Sequence, residues 1–465
     1  MLRSIYNTLL NCLKIPELKS RIGFTLGLLF VARLLAVIRI PGLDGEALTK
    51  YFASQQQGTG GLLGMYNTFA GGAYEHCAIG SLGIMPYISA TIIIQLLTAV
   101  VPRLSKLVRE EGGRTQIIKY GRYLTVLLCV AQGIYFAGSW LHPQRGGVLQ
   151  GLQQSLVLTD NHLVYYFVTV TVMTAGTMLL MWLGEQITER GIGNGVSLII
   201  TIGILARLPN AMNAAWNMFH KGADGVATHK FMGTGILLFL LMVLVVGGVI
   251  AITQAQRKIP VQYAQRAVGR KMYQGGSSFM PLRVNYAGVM PIIFASSILM
   301  FPQPFFSWLA LNGPMFLRDT AQWFSGQMGS GSWLYLAIYA MMILFFSYFW
   351  VATQFNEIQI ADDLKKNGGY IPGVRPGQGT SDYLHHAMSR ITLAGALFLT
   401  IIATIPIMLS KQLDIPQDVS QFFGGTSMLI AVGVLLDTMR QVESHLMMRH
   451  YDGFLKKGKI RGRFN

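Results

Sequence analysis

Several stretches of this chain run twenty or more residues without a charged side chain, most clearly Leu163–Gly184, Gly233–Thr253, Trp333–Phe355 and Ile391–Ser410. About 20 apolar residues make a helix long enough to cross the hydrocarbon core of a bilayer. In that medium only a helix or a closed barrel satisfies every backbone N–H and C=O. These runs therefore predict a polytopic α-helical membrane protein. Only 12% of residues are charged, against about 25% in a soluble domain. His76–Pro102 and Tyr123–His142 are two further uncharged runs. Val284–Leu317 is uncharged but holds Pro291, Pro302, Pro304 and Pro314, so one helix is expected near 288–310, followed by a loop. Val419–Leu436 leads into Asp437, and the helix is expected to continue past it. Gly23–Ile40, interrupted by Arg33, and the short Gly195–Pro209 complete ten expected crossings.

The charge distribution orients these crossings. With the N-terminus on the cytoplasmic side, 28 of the 37 Lys and Arg residues fall on the inner side and 8 on the outer, and Arg33 lies within a span. The outer side also carries 8 acids, so essentially the whole net charge of +17 is inside. This positive-inside asymmetry predicts both termini in the cytoplasm. The N-terminal segment 1–22 is mixed and charged, with no small-residue cleavage site after its first apolar run, so the first crossing is expected to be retained.

An internal repeat divides the chain. Gly83-Ile-Met-Pro-Tyr-Ile-Ser-Ala-Thr91 opens the second expected span, and Gly288-Val-Met-Pro-Ile-Ile-Phe-Ala-Ser296 opens the seventh, at an offset of 205 residues. Five crossings separate them, so the two halves run in opposite directions and their interface is the expected pathway. Chance likeness between two apolar helix starts is the plainer alternative. The segments 254–287 and 356–390, both cytoplasmic on this reading, are too long for simple turns. The first carries Arg257, Lys258, Arg266, Arg270, Lys271 and Arg283, and the second holds the basic turn Gly373-Val-Arg-Pro-Gly377. Ordinary positive-inside charge accounts for the residues one by one. Together the two loops suggest a platform for a large acidic partner such as a ribosome.

Catalytic and metal-site patterns are absent. There is no HExxH, GxSxG or Walker A sequence, which argues against an intramembrane protease and against an enzyme generally. Cys12, Cys77 and Cys129 stand far apart and form neither a disulfide framework nor a zinc site. Gly191-Ile-Gly-Asn-Gly195 follows a membrane helix rather than a strand and is read as a tight turn. Ionisable residues at membrane depth are few, chiefly Arg33 and Asp437, with Glu185 near a boundary, which disfavours the alternative of an inverted-repeat secondary transporter of small solutes. The short apolar piece LLGMYNTFA, between Gly-rich stretches at 58–61 and 71–72, is expected to form a re-entrant or plugging half-helix.

Leu82 to Thr98, Trp182 to Gly195, Asn285 to Pro291 with Phe294-Ala-Ser-Ser297, Gly373 to Gly377, and Phe423-Gly-Gly-Thr-Ser427 resemble, in order, the motifs of the bacterial SecY family. The resemblance covers nearly the whole chain. It implies an all-α protein of ten transmembrane helices in two inverted five-helix halves, acting in the bacterial cytoplasmic (inner) membrane as the protein-conducting channel of the general secretory pathway. The implied division is a cytoplasmic segment 1–22; a first half 23–210 with a plug at about 60–74; an outer hinge loop and sixth helix, 211–253; a loop, 254–287; the seventh and eighth helices, 288–355; a loop, 356–390; the last two helices, 391–446; and a tail, 447–465. The implied partners are SecE and SecG, the SecA ATPase, the ribosome through its RNA, signal-bearing polypeptides and membrane lipid. No cofactor or metal is implied.

Carried over residue by residue, Ile84, Ile88, Val196, Ile200, Ile293 and Ile430 match the family's pore ring. Leu62, Leu63, Met65, Tyr66 and Phe69 fall in the plug. Thr91, Gln95, Ser297 and Phe301 are candidates for a lateral gate. Arg257, Lys258, Arg266, Arg270, Lys271 and Arg375 match the docking surface for the ribosome or SecA. One departure stands out. The family's first helix usually ends in Arg-x-Gly and then Ile-Pro-x-Pro-Gly, whereas here Arg33-Leu-Leu is followed by Ile38-Arg-Ile-Pro-Gly42, which puts the local packing there in question.

Overall fold

A computed structural model describes residues 15–55, 62–110, 112–143, 149, 155–220, 229–263, 266–268, 271–273, 276–300, 302–329, 332–412, 419, 422 and 425–457. The chain forms two compact units. One comprises Met1–Asn213, Pro304–Gln322 and Val434–Asn465, and the other Ala214–Gln303 and Trp323–Gly433.

The first unit opens with α1 (Pro16–Leu35), α2 (Gly45–Gln55) and α3 (Leu62–Phe69), the last within the expected plug. α4 (Met85–Val100) begins later than the uncharged run from His76, because 70–84 is a chain of turns. Pro102 forces Val101 into an extended conformation, and the helix breaks through 103° into the basic amphipathic α5 (Pro102–Arg109). α6 (Gly113–Leu141) and α7 (His162–Arg190) follow, each of 29 residues. Asn161 caps α7 by accepting from the backbone N–H groups of Leu163 and Val164. Asn194 does the same for α8 (Gly195–Ala206), which gives way at Arg207 to α9 (Leu208–His220).

The second unit contains α10 (His229–Gln254), whose most apolar 18-residue window is only 28% buried, as a lipid-facing helix requires. The loop 254–287 is not irregular. It forms β1 (Gln256–Tyr263), β2 (Arg266–Val268), β3 (Lys271–Tyr273) and β4 (Ser277–Arg283). β1 and β4 pair antiparallel, and so do β2 and β3. The chain is mostly helical, as expected, and these strands are a local departure from an all-α fold. Ile259 and Val261 alternate inward along β1, enough to anchor a strand between charged neighbours.

The stretch expected to be one helix near 288–310 and then a loop is also corrected. It is α11 (Met290–Leu299), α12 (Pro302–Asn312) and α13 (Met315–Gln327), because a proline can start a helix as readily as stop one. α14 (Trp333–Gln354), α15 (Glu357–Lys366), β5 (Gly369–Tyr370), α16 (Gln378–Gln412) and α17 (Thr426–Lys457) complete the chain. Among the described residues six helices are long and apolar enough to cross a membrane, or seven with the bent α4–α5 pair.

Candidate functional site

In the first unit, α3 and the turns after it rest in an aromatic seat. Tyr66 and Tyr74 are buried and meet edge to face, 5.6 Å between centroids. Both rings contact Phe136, and Tyr74 also contacts Trp140, both from α6. Such pairs contribute about 0.5–1.5 kcal/mol each beyond their buried area. Phe69 is buried as well. A polar layer borders this seat. Arg33 Nη1 donates to the carbonyl of Gly71 at 2.6 Å. Asn67 Nδ2 donates to Glu75 Oε2 at 2.6 Å, and the Glu75 N–H returns to Asn67 Oδ1 at 3.2 Å. Arg207 donates to Thr68 Oγ1 at 3.0 Å and to Glu75 Oε2 at 3.5 Å.

Ile84, Ile88 and Ile200 of this unit are buried, and Val196 is half-buried with its Cγ2 facing Gly184 of α7. A crevice of about 30 Å³ beside Ile84 is lined by Arg33, Phe69, Ile199 and Ile202. In the second unit Ile293 and Ile430 are buried. A Cβ at Gly433 would overlap Val289, so the starts of α11 and α17 run together. Ile293 is one turn beyond Val289 and Ile430 one turn before Gly433, which puts both on that line of approach.

The repeat is equivalent in backbone as well as in sequence. Gly83 and Gly288 have φ of +58° and +62°. The next residues, Ile84 and Val289, adopt φ, ψ of −94°, 2° and −96°, −2° as helix N-caps, each followed by Met-Pro. Beyond these starts, Thr91 and Gln95 are half-buried on α4, and the Thr91 hydroxyl donates to the Tyr87 carbonyl. Ser297 is buried on α11 and donates to the Ile293 carbonyl at 2.6 Å. Its neighbour Ser296 lies 3.4 Å from Tyr339 Oη, and Phe294 packs edge-on against Phe346 and Trp350, joining α11 to α14.

The two long loops that the sequence presents separately form one body. β5 from the second loop adds to the free edge of β1, pairing Gln262 with Tyr370, whose hydroxyl donates to Gln262 Oε1 at 3.0 Å. Ile259 and Leu282 of the hairpin share a core with Ile371, Leu384 and Met388, and Val374 packs against it. Gly373 and Gly377, with φ of +83° and +94°, bracket Val374-Arg-Pro376 and leave Arg375 exposed. Arg257 and Lys258 are exposed on β1. Arg270 and Phe301 lie outside the described residues, as do the side chains of Leu62, Leu63, Met65, Arg266 and Lys271.

Residues 78–439 match the SecY family model. A protein translocase subunit SecY from Chlamydia muridarum is 41% identical over 463 residues, covering 98% of this chain and 99% of the relative. This chain belongs to the SecY family. Two solved structures share its fold. One, described as the structure of a protein conducting channel, has a TM-score of 0.60 at 16% identity, with 91% of each chain covered. The other, from a canine ribosome–channel complex of the endoplasmic reticulum, has a TM-score of 0.58 at 17% identity, again with 91% of each chain covered.

Against the SecY family's usual pattern, the atypical end of the first helix proves well tied. The N–H groups of Ile79 and Gly80 donate to the carbonyls of Ile38 and Leu35, and the Ile40 N–H to Cys77. Glu185 pairs with Arg122 at 2.7 Å, and Asp437 lies 3.8 Å from Arg440. Sequence reasoning missed Asn67, Glu75 and Arg207. A lone Glu and a lone Arg at the edges of apolar segments were the available trace.

Proposed function

We propose that this SecY-family chain is the channel subunit of a protein translocase in the bacterial inner membrane. It passes unfolded secretory polypeptides across and releases hydrophobic segments sideways into lipid. The observation that carries this reading is identity of 41% with a translocase subunit over nearly the full length of both chains. Catalysis plays no part in the reading, and the driving energy comes from partners: translation by a ribosome, or the ATPase SecA, with SecE and SecG completing the complex.

The ten-span topology has both termini inside, with 23–210 as the first half. Ile84, Ile88, Val196, Ile200, Ile293 and Ile430 form an aliphatic constriction. Such a ring dewets and so resists ions. It offers a sliding chain almost no hydrogen bonds to break, so many sequences can pass. Residues 60–74 plug it at rest, seated on the aromatic cluster. Thr91, Gln95, Ser297 and Phe301 flank a lateral exit, where partition decides the outcome. About 20 apolar residues favour hydrocarbon, while a central charge costs ~2.5–3.5 kcal/mol. The basic face with Arg257, Lys258 and Arg375 receives the ribosome or SecA. The union of both loops into one folded body supports a rigid docking surface.

A stalled, signal-bearing nascent chain tests this. Photo-crosslinkers at positions 88 and 293 are expected to give adducts. Adducts only at a lipid-facing control such as Phe239 would refute a polypeptide path through the ring. Arg375→Glu is expected to abolish partner-driven export while the protein still inserts, and normal export would remove Arg375 from the docking surface.

A further inference from the structure

The polar layer beside the plug seat holds charges that a purely apolar stopper does not require. Glu75 and Arg207 each keep only 13% of their side-chain surface exposed. They come from opposite sides of a contact. Glu75 lies on the segment returning from α3, and Arg207 at the junction of α8 and α9. Arg207 spans two pieces of the plug region at once, Thr68 on α3 and Glu75 after it. Asn67, fully buried, fixes the Glu75 carboxylate from the plug side. The backbones also touch, since a Cβ at Gly71 would stand 2.9 Å from Gly203 Cα on α8. The guanidinium of Arg33 grips the carbonyl of Gly71, just past the negative end of α3.

We propose that Glu75 and Arg207 form a latch that holds the plug in its seat, with Asn67 and Thr68 as its positioning residues. The proposal rests on the reading of 60–74 as a plug. Aromatic burial supplies adhesion without direction, whereas the ion pair fixes one register of α3 against α8. Both groups regain hydration if the plug swings into water, so the latch can be undone. Neutralising one partner removes the cross-contact charge that the other faces in a largely buried place, although Glu75 keeps His76 Nε2 at 3.5 Å and the nearby charge of Arg33, and this is worse than removing both.

The test is resting ion conductance of the complex purified from membranes and placed in planar bilayers. Glu75→Gln and Arg207→Gln are each expected to raise it about tenfold, the double variant no further than either single, and Arg207→Lys to stay near the parent. Unchanged conductance in the single variants, or effects that multiply in the double, would overturn the latch. If a glutamine variant does not accumulate, Glu75→Asp, which keeps the charge and shortens its reach, is expected to give an intermediate leak, and its absence would overturn the latch equally. Deletion of 62–70 separates the two readings. A leak on deletion with tight glutamine variants refutes only the latch, and no leak on deletion refutes the plug itself.

Discussion

The segments from Gly83 and from Gly288 start alike and end differently. Each turns on a glycine with φ near +60°, caps with an aliphatic residue, and starts its helix on Met-Pro. In both, the carbonyl of that glycine accepts a side-chain hydrogen bond. Gly83 takes it from Thr177 Oγ1 on α7, 94 residues away, and Gly288 from Asn285 Nδ2, three residues away. The glycine carbonyl of the first start is thus held by the tertiary fold and that of the second by its own turn. Their exits diverge at one position. Pro302 stands where the first repeat has Leu97, so α11 stops at Leu299 while α4 runs on to Val100. A duplicated start has kept its backbone while its supports and its length have changed.

The largest contrast is expected at the two glycines. Valine at either position must adopt a left-handed backbone, at about 1–3 kcal/mol. At Gly83 the new Cβ also meets the Ala70 backbone at 3.2 Å, and overpacking adds about 1–3 kcal/mol. Thermal unfolding of the purified complex should therefore place Gly83→Val below Gly288→Val. Equal losses would mean that the Ala70 backbone does not press on this turn.

Next come Ile88 and Ile293, the equivalent positions of the proposed ring, both buried. Asparagine there puts an amide into an apolar layer, at about 1–3 kcal/mol if it finds no partner. Ile88→Asn and Ile293→Asn are both expected to raise resting conductance several-fold and to relax signal-sequence stringency. A leak from one alone would break the symmetry of the ring. Ile84 is a poorer probe, because it is the N-cap of α4 and asparagine would stabilise that helix end.

How much of this was legible follows from the range of each interaction. The long spans and both repeat starts were readable, because uncharged runs and Gly-to-Pro punctuation are local. The hairpin of 254–287 was not. Its inward residues Ile259 and Val261 sit among Arg257, Lys258 and Pro260, too short a pattern to outweigh the charges. The pairing of Gln262 with Tyr370 and of Glu75 with Arg207 spans more than a hundred residues and leaves no local mark. The prolines after Leu299 misled in a specific way. Pro302 ends one helix and begins another, and composition alone does not separate those roles.

The differing supports of the two turns give a finer test. Thr177→Val and Asn285→Ala each remove a donor from a largely buried site, at about 1–2 kcal/mol. Hydrogen exchange should separate them. Thr177→Val is expected to speed exchange at the start of α4 and in the middle of α7 together, and Asn285→Ala only around residues 285–290. Coupled loosening in both variants would mean that the second turn is also held from a distance.

The smallest effect should be the most symmetric. Pro86 and Pro291 occupy the first turn of their helices, where no intrahelical partner awaits their missing N–H. Their contribution comes through the unfolded chain, whose freedom a fixed φ reduces, so alanine should cost about 0.4–1 kcal/mol at each site. The two losses are expected to match, because the backbone at the two starts differs by only a few degrees. Thermal shifts of the two single variants check this directly. A clearly larger loss at one site would show that its ring packs against something the other lacks, and the equivalence of the repeats would then hold for the backbone alone.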